Sequence, residues 1–147
     1  MSIAYEYEKL RWIFLLLVLL PESVSDIKER KIHLFVIIPA VLIAEFLYGL
    51  FLSTNGMELI FNLIPGVLLL LLAHFSKESV GYGDGISLLF VGAVLGMSNT
   101  FFVLVLAFSG CAILGLIVLL FKLGNKKSRL PFLPFILGAS LICELVV

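Results

Sequence analysis

Two aspartates stand where chemistry is possible. Asp26 lies in "SDIKERKI" and Asp84 in "GYGDGISLLF", each at the border of a long apolar run. Two carboxyl groups held close together resist ionising both, so they share one proton. The charged member can take a proton from water while the protonated member donates to a carbonyl oxygen. That is aspartyl-type peptide hydrolysis, and it needs only the pair and a water. A plainer role is open to each residue: Asp84 as the N-cap of a helix that begins in a glycine turn, and Asp26 as the solvated end of a helix. Gly81, Gly83 and Gly85 permit positive φ and close approach of another backbone, so an extended substrate strand could lie against them.

The elements that carry these residues follow from composition. The chain has 147 residues, of which 62% are hydrophobic and 14% charged, and its mean hydropathy is +1.22. Ordinary soluble domains are roughly half apolar and about a quarter charged. So short a chain could not hide this much apolar surface in a soluble core, which makes it an all-α integral membrane protein with one domain over residues 1–147. A net charge of zero excludes the basic signature of a nucleic-acid binder. Cys111 and Cys143 lie inside apolar runs without C-x-x-C spacing and read as small packing residues. "LRWIFLLLVLL" has the length of a signal-peptide core. The mixed charges before and within it (Glu6, Glu8, Lys9, Arg11) and the weak "SVS" cleavage pattern make it an expected retained segment.

A membrane helix needs about 20 apolar residues. Six candidates run at 10–25, 33–53, 57–75, 84–98, 100–121 and 130–147. Between them, Lys28, Arg30, Lys31, Lys77, Lys122, Lys126, Lys127 and Arg129 fall on one face, eight of the ten positive residues, and only Lys9 and Arg11 on the other. The positive-inside rule makes the richer face cytoplasmic and both termini extracytoplasmic. It also puts Asp26, after the first segment, and Asp84, opening the fourth, at the same depth.

Other polar residues have quieter readings. His33 and His74 fall near the same face, and with the two aspartates could bind a divalent metal. Neither has a partner at helical spacing and no H-E-x-x-H is present, so both read as interfacial residues and no metal or cofactor is expected. Glu45 lies mid-span, roughly 18 Å past the cytoplasmic start, where a protonated or hydrogen-bonded packing role is expected. Glu58 and Glu144 read as interfacial acids. Gly92 and Gly96 form a G-x-x-x-G, and Gly110, Cys111 and Gly115 thin one side of the fifth segment, which suits close helix packing. "KLGNKKSR" reads as a topology anchor that could also hold anionic headgroups.

Three stretches together resemble the type IV prepilin peptidase family. "KESVGYGDGISLLFVGAVLG" is similar to its G-x-G-D signature opening a membrane helix. "SDIKERKI" resembles its other aspartate motif, and "RLPFLPFILGAS" its Pro-Phe-x-Pro-Phe run at the start of the last helix. The resemblance implies an intramembrane aspartyl endopeptidase of the plasma membrane with Asp26 and Asp84 as the catalytic pair. Its substrates would be prepilin, pseudopilin or preflagellin-like membrane proteins whose short basic leader is cut at the cytoplasmic face, in pilus assembly or protein secretion. Glu29 and Glu78 would suit the basic leader, beside Gly81, Gly83 and Gly85. The chain resembles the compact members without the cytoplasmic methyltransferase domain, so a peptidase alone is expected. Two departures stand out: His33 in "IHLF" where the family often has Pro, and Ser87 in "GISLL" where Lys is usual. Two readings of another class use the same residues. One is a polytopic cation transporter or channel with the acids and His33/His74 as a cation site. The other is an inactive structural subunit of a pilus machine.

Overall fold

The computed structural model describes residues 2–29, 31–52, 55–76, 81–121 and 130–146, with side chains from Glu6 onward. Among them are six helices: α1 (Ser2–Glu29), α2 (Leu34–Leu52), α3 (Gly56–Phe75), α4 (Tyr82–Leu95), α5 (Met97–Leu120) and α6 (Leu133–Val146). The expected segments all reappear, with ends moved by a few residues except in α1. That helix begins well before residue 10 and carries on through Pro21 to Glu29. Its charged ends lack the apolar signal that located the segment, but a helix keeps its hydrogen bonds whether or not its outer turns are apolar.

Length separates the helices into two kinds. α2, α3 and α5, with 19, 20 and 24 residues, are long and apolar enough to cross a membrane. α4 and α6 have 14 residues each, about 21 Å at 1.5 Å per residue, short of an apolar layer of about 30 Å. The outer faces are apolar. Phe35 is 96% exposed, and Leu42, Phe46, Val105 and Leu120 also point outward. Exposed apolar surface on this scale marks a face that meets a membrane or another protein.

α4 runs through the middle and packs against all five other helices. Nine of its fourteen residues are buried, from Gly85 and Ser87 to Leu95, as expected of a helix that is apolar all round. Phe90 is fully buried beside Phe14 of α1, with ring centroids 5.6 Å apart at 70°. Leu15 and Leu19 of α1, Ile37 of α2, Leu69 of α3 and Ile136 of α6 join the same core.

The closest approach is between α3 and α4. A Cβ on Gly66 would stand 2.6 Å from the backbone nitrogen of Leu89, and one on Gly92 would run into the carbonyl oxygen of Asn62. The expected packing role of Gly92 is therefore met, whereas Gly96 does something different. It alone joins α4 to α5, at φ +82°, a conformation that disfavours any side chain. Gly110 lies against Phe135 of α6 and Gly115 near Leu130. The Asn62 side chain accepts the N–H of Met97 at 3.1 Å, serving an N–H at the start of α5 that has no partner within the helix.

Gly66→Val and Gly92→Val are expected to lower stability by about 1–3 kcal/mol or more, because the neighbouring atoms are backbone and cannot yield. Gly138→Ala has nothing within 4 Å of its new methyl and should be neutral or stabilising. Thermal unfolding of the detergent-solubilised protein separates the two outcomes. Equal behaviour of all three variants would refute the close-approach account.

Candidate active site

The site forms where the end of α1 meets the starts of α4 and α6. Asp26, 7% exposed, sits in the last turns of α1. Its Oδ2 accepts the backbone N–H of Leu133 at 3.2 Å. Leu133 is the first residue of α6, so its N–H has no partner within that helix. The "PFLPF" stretch prepares this contact. The carbonyl of Phe132 accepts from Phe135 at 3.0 Å and from Ile136 at 3.2 Å, which makes Phe132 the opening residue. Pro134 then falls in the first turn, where a missing N–H costs nothing. The positive end of α6 faces a carboxylate.

Asp84 is held differently. Gly81 is the N-cap of α4, and Asp84 is the third residue of the helix, its N–H bonded to the Gly81 carbonyl at 3.2 Å. Asp84 is thus not the N-cap. Its carboxylate instead reaches back to the N–H of Gly81, as the third helical residue does in a capping box. Gly81 leaves room for it, since a Cβ there would lie 3.0 Å from Oδ2. Asp84 is half-buried, and it lies within Coulombic reach of Asp26. Two carboxyl groups from distant parts of the chain therefore share one end of the bundle.

The glycines around Asp84 serve packing in this arrangement. Gly83 lies under the Ile32 side chain, and a Cβ on Gly85 would stand 2.7 Å from Leu70 of α3. Among the described residues the positive-φ glycine is Gly96, so positive φ, anticipated as open to Gly81, Gly83 and Gly85, is not used there. Close approach at Gly83 and Gly85 is by the chain's own side chains. Ser87, where Lys is usual, is fully buried, and its hydroxyl donates to the Gly83 carbonyl at 2.9 Å.

The remaining acids and histidines spread out. Glu29 is exposed at the end of α1, and Glu78 lies outside the described residues. His33 pairs with Glu22, and His74 Nδ1 lies 3.2 Å from the Tyr82 hydroxyl. Glu45 has both carboxylate oxygens buried and without a hydrogen-bond partner, so a hydrogen-bonded packing role is not what the structure has. Two residues near the site were missed by sequence reasoning. Glu22, 3% exposed, lies one helical turn before Asp26. The spacing of four was a readable sign that both face the same way. Cys111 of α5 lies within Coulombic reach of Asp84. Nothing in its apolar surroundings marked it, because only the packing of α5 brings it there.

An all-helical bundle with apolar outer faces and two carboxylates gathered at one end has the make-up of a membrane protein with a polar cluster at one end. Residues 13–143 match the type IV leader peptidase family, and the chain belongs to that family, which marks it as a peptidase. The matched region contains both aspartates and Leu133. Compared with curated proteins and with solved structures, the chain has no match.

Ser87→Ala should cost no more than about 1 kcal/mol, the usual worth of one neutral hydrogen bond. Ser87→Lys places an unpaired charge in the fully buried position and is expected to destabilise by several kcal/mol or prevent folding. Melting temperature and the yield of monodisperse protein measure both. A well-folded Ser87→Lys variant would show that this position has access to solvent.

Proposed function

We propose that the protein is an intramembrane aspartyl endopeptidase that removes the short basic leader of prepilin-like, pseudopilin-like or preflagellin-like membrane proteins. The observation that carries this reading is the meeting of Asp26 and Asp84 at one end of the bundle, in a chain of the type IV leader peptidase family. In this reading the six-helix bundle is embedded in the plasma membrane, with the short α4 and α6 packed among the longer helices, both termini are extracytoplasmic and the pair opens to the cytoplasm. The asymmetric placement of Lys and Arg supports that orientation.

The mechanism needs no cofactor. One carboxylate takes a proton from a water, and the water oxygen attacks the scissile carbonyl carbon. The other carboxyl donates its proton to the carbonyl oxygen, forming a neutral tetrahedral diol. Collapse breaks the C–N bond. The carboxyl that received the water's proton passes a proton to the leaving amine, and the diol returns one to its partner. Asp26 is aimed by the Leu133 N–H and Asp84 by the Gly81 N–H, so neither must be ordered when substrate arrives. The basic leader is drawn to Glu29 and Glu78. Gly81, half-buried at the mouth of α4, is the glycine offered to a substrate backbone, since Gly83 and Gly85 are packed against Ile32 and Leu70. The protein acts as a peptidase without methyltransferase activity, its partners being the substrate and the bilayer.

Co-expression with a prepilin-like protein carrying a basic leader, followed by a gel shift for leader loss, tests the reading. Asp26→Asn and Asp84→Asn are each expected to slow processing by about 10²–10⁴-fold, the usual contribution of a positioned acid or base. Processing at the normal rate in either variant would remove that aspartate from the catalytic pair.

A further inference from the structure

Glu22 is almost fully buried, although nothing in the mechanism above uses it. A carboxylate is costly to bury unless it is hydrogen-bonded, so its contacts matter. Oε2 accepts the backbone N–H of His33 at 2.9 Å. Oε1 lies 3.4 Å from His33 Nδ1, while the imidazole itself is largely exposed. The His33 carbonyl accepts from Val36 and Ile37, so His33 opens α2. Glu22 therefore occupies the positive end of that helix. Nearby, the Ser25 hydroxyl donates to the Lys31 carbonyl at 3.2 Å. Residues 31 and 33 are thus both tied to the last turns of α1.

Ile32 lies between these two ties. It is half-buried, and its side chain covers Gly83 so closely that a Cβ there would collide with it. Gly83 is the residue before Asp84. A continuous run of contacts leads from Glu22 through His33 and Ile32 to the turn that carries Asp84. It starts one turn before Asp26 on the same helix face. The tie also depends on His33 not being proline: a proline has no N–H to donate, and it is proline that the resemblance puts at this position.

We propose that Glu22 is a positioning residue. Through the His33 N–H it holds Ile32 on Gly83 and so sets the Asp84 turn against Asp26. The proposal rests on the Asp26/Asp84 reading and adds to it the device that keeps the pair in register. Glu22 touches neither substrate nor the reacting atoms.

Kinetics of leader removal by the purified full chain in nanodiscs test it, with a synthetic prepilin-like peptide bearing a basic leader as the substrate. Glu22→Ala should lower kcat by about 10–100-fold with KM changed by no more than about twofold, as expected of misplaced catalytic groups. Glu22→Gln keeps an acceptor oxygen for the His33 N–H and should restore kcat to within about threefold of the parent. His33→Ala keeps the N–H and should behave like Glu22→Gln. His33→Pro removes the donor and should match Glu22→Ala, and the double variant should be no slower than either single one. If Glu22→Ala does not fold, His33→Pro carries the same test with Glu22 in place. An unchanged kcat in Glu22→Ala or His33→Pro overturns the proposal, as does an equal loss in Glu22→Gln or an additive double variant. Asp26→Asn and Asp84→Asn, assayed alongside, keep the two ideas apart. Activity in those variants breaks the catalytic pair. Inactive Asn variants beside a fully active Glu22→Ala break only the positioning role.

Discussion

The central constraint is the contact between the backbones of α3 and α4. Gly66 and Gly92 let these helices meet with no side chain between them, and that contact seats α4 in the middle of the bundle. A helix so placed must be apolar on every side, and it need not be long, because its middle and C-terminal turns are covered by neighbours while its first turn opens at the end of the bundle. The shortness of α4 and its nine buried residues are two results of one arrangement. Because the first turn of α4 carries Asp84, the position of that carboxylate is inherited from helix packing far from it.

A second constraint comes from the helix starts. Each exposes backbone N–H groups that have no partner within the helix. Here polar side chains accept from them at four helix starts. Glu22 serves α2 through His33, Asp84 serves the Gly81 N–H of α4, Asn62 serves α5, and Asp26 serves α6. Three of these four are acids at the end of the bundle where Asp26 and Asp84 meet. A carboxylate in such a place has a structural reason to be there and is also aimed by the bond it makes. The plainer roles open to Asp26 and Asp84, solvated helix end and N-cap, are replaced by buried or half-buried carboxylates tied to helix starts, and the hydrogen bonds that tie them also orient them.

The departures at His33 and Ser87 acquire physical meaning in this setting. Ser87 turns its hydroxyl onto the carbonyl of Gly83, one turn earlier in the same helix, in a position with no exposed surface. His33 offers a backbone N–H that proline lacks, and the buried carboxylate of Glu22 receives it. Both departures bear on Gly83, the residue before Asp84: Ser87 through its carbonyl and His33 through the neighbouring Ile32.

By itself, the sequence determined the helical and membrane character of the chain, since 62% hydrophobic residues in runs near the bilayer length admit few other folds. It also located all six helices and singled out Asp26, Asp84 and the proline–phenylalanine run before α6, because these are local patterns. What it left undecided depends on distance through space. The charge count put Asp26 and Asp84 at one depth, but only the packing of α1, α4 and α6 brings them within reach and sets Leu133 on Asp26. The glycines beside Asp84 looked free for a substrate, yet Gly83 and Gly85 are occupied by Ile32 and Leu70, residues that nothing in their local pattern links to Asp84. Glu22 shared a helix face with Asp26 in plain view, but its burial and its hold on His33 arise only when α2 folds back along α1. Periodicity and composition act along the chain, whereas a site made at the meeting of three helix ends is decided by how they pack.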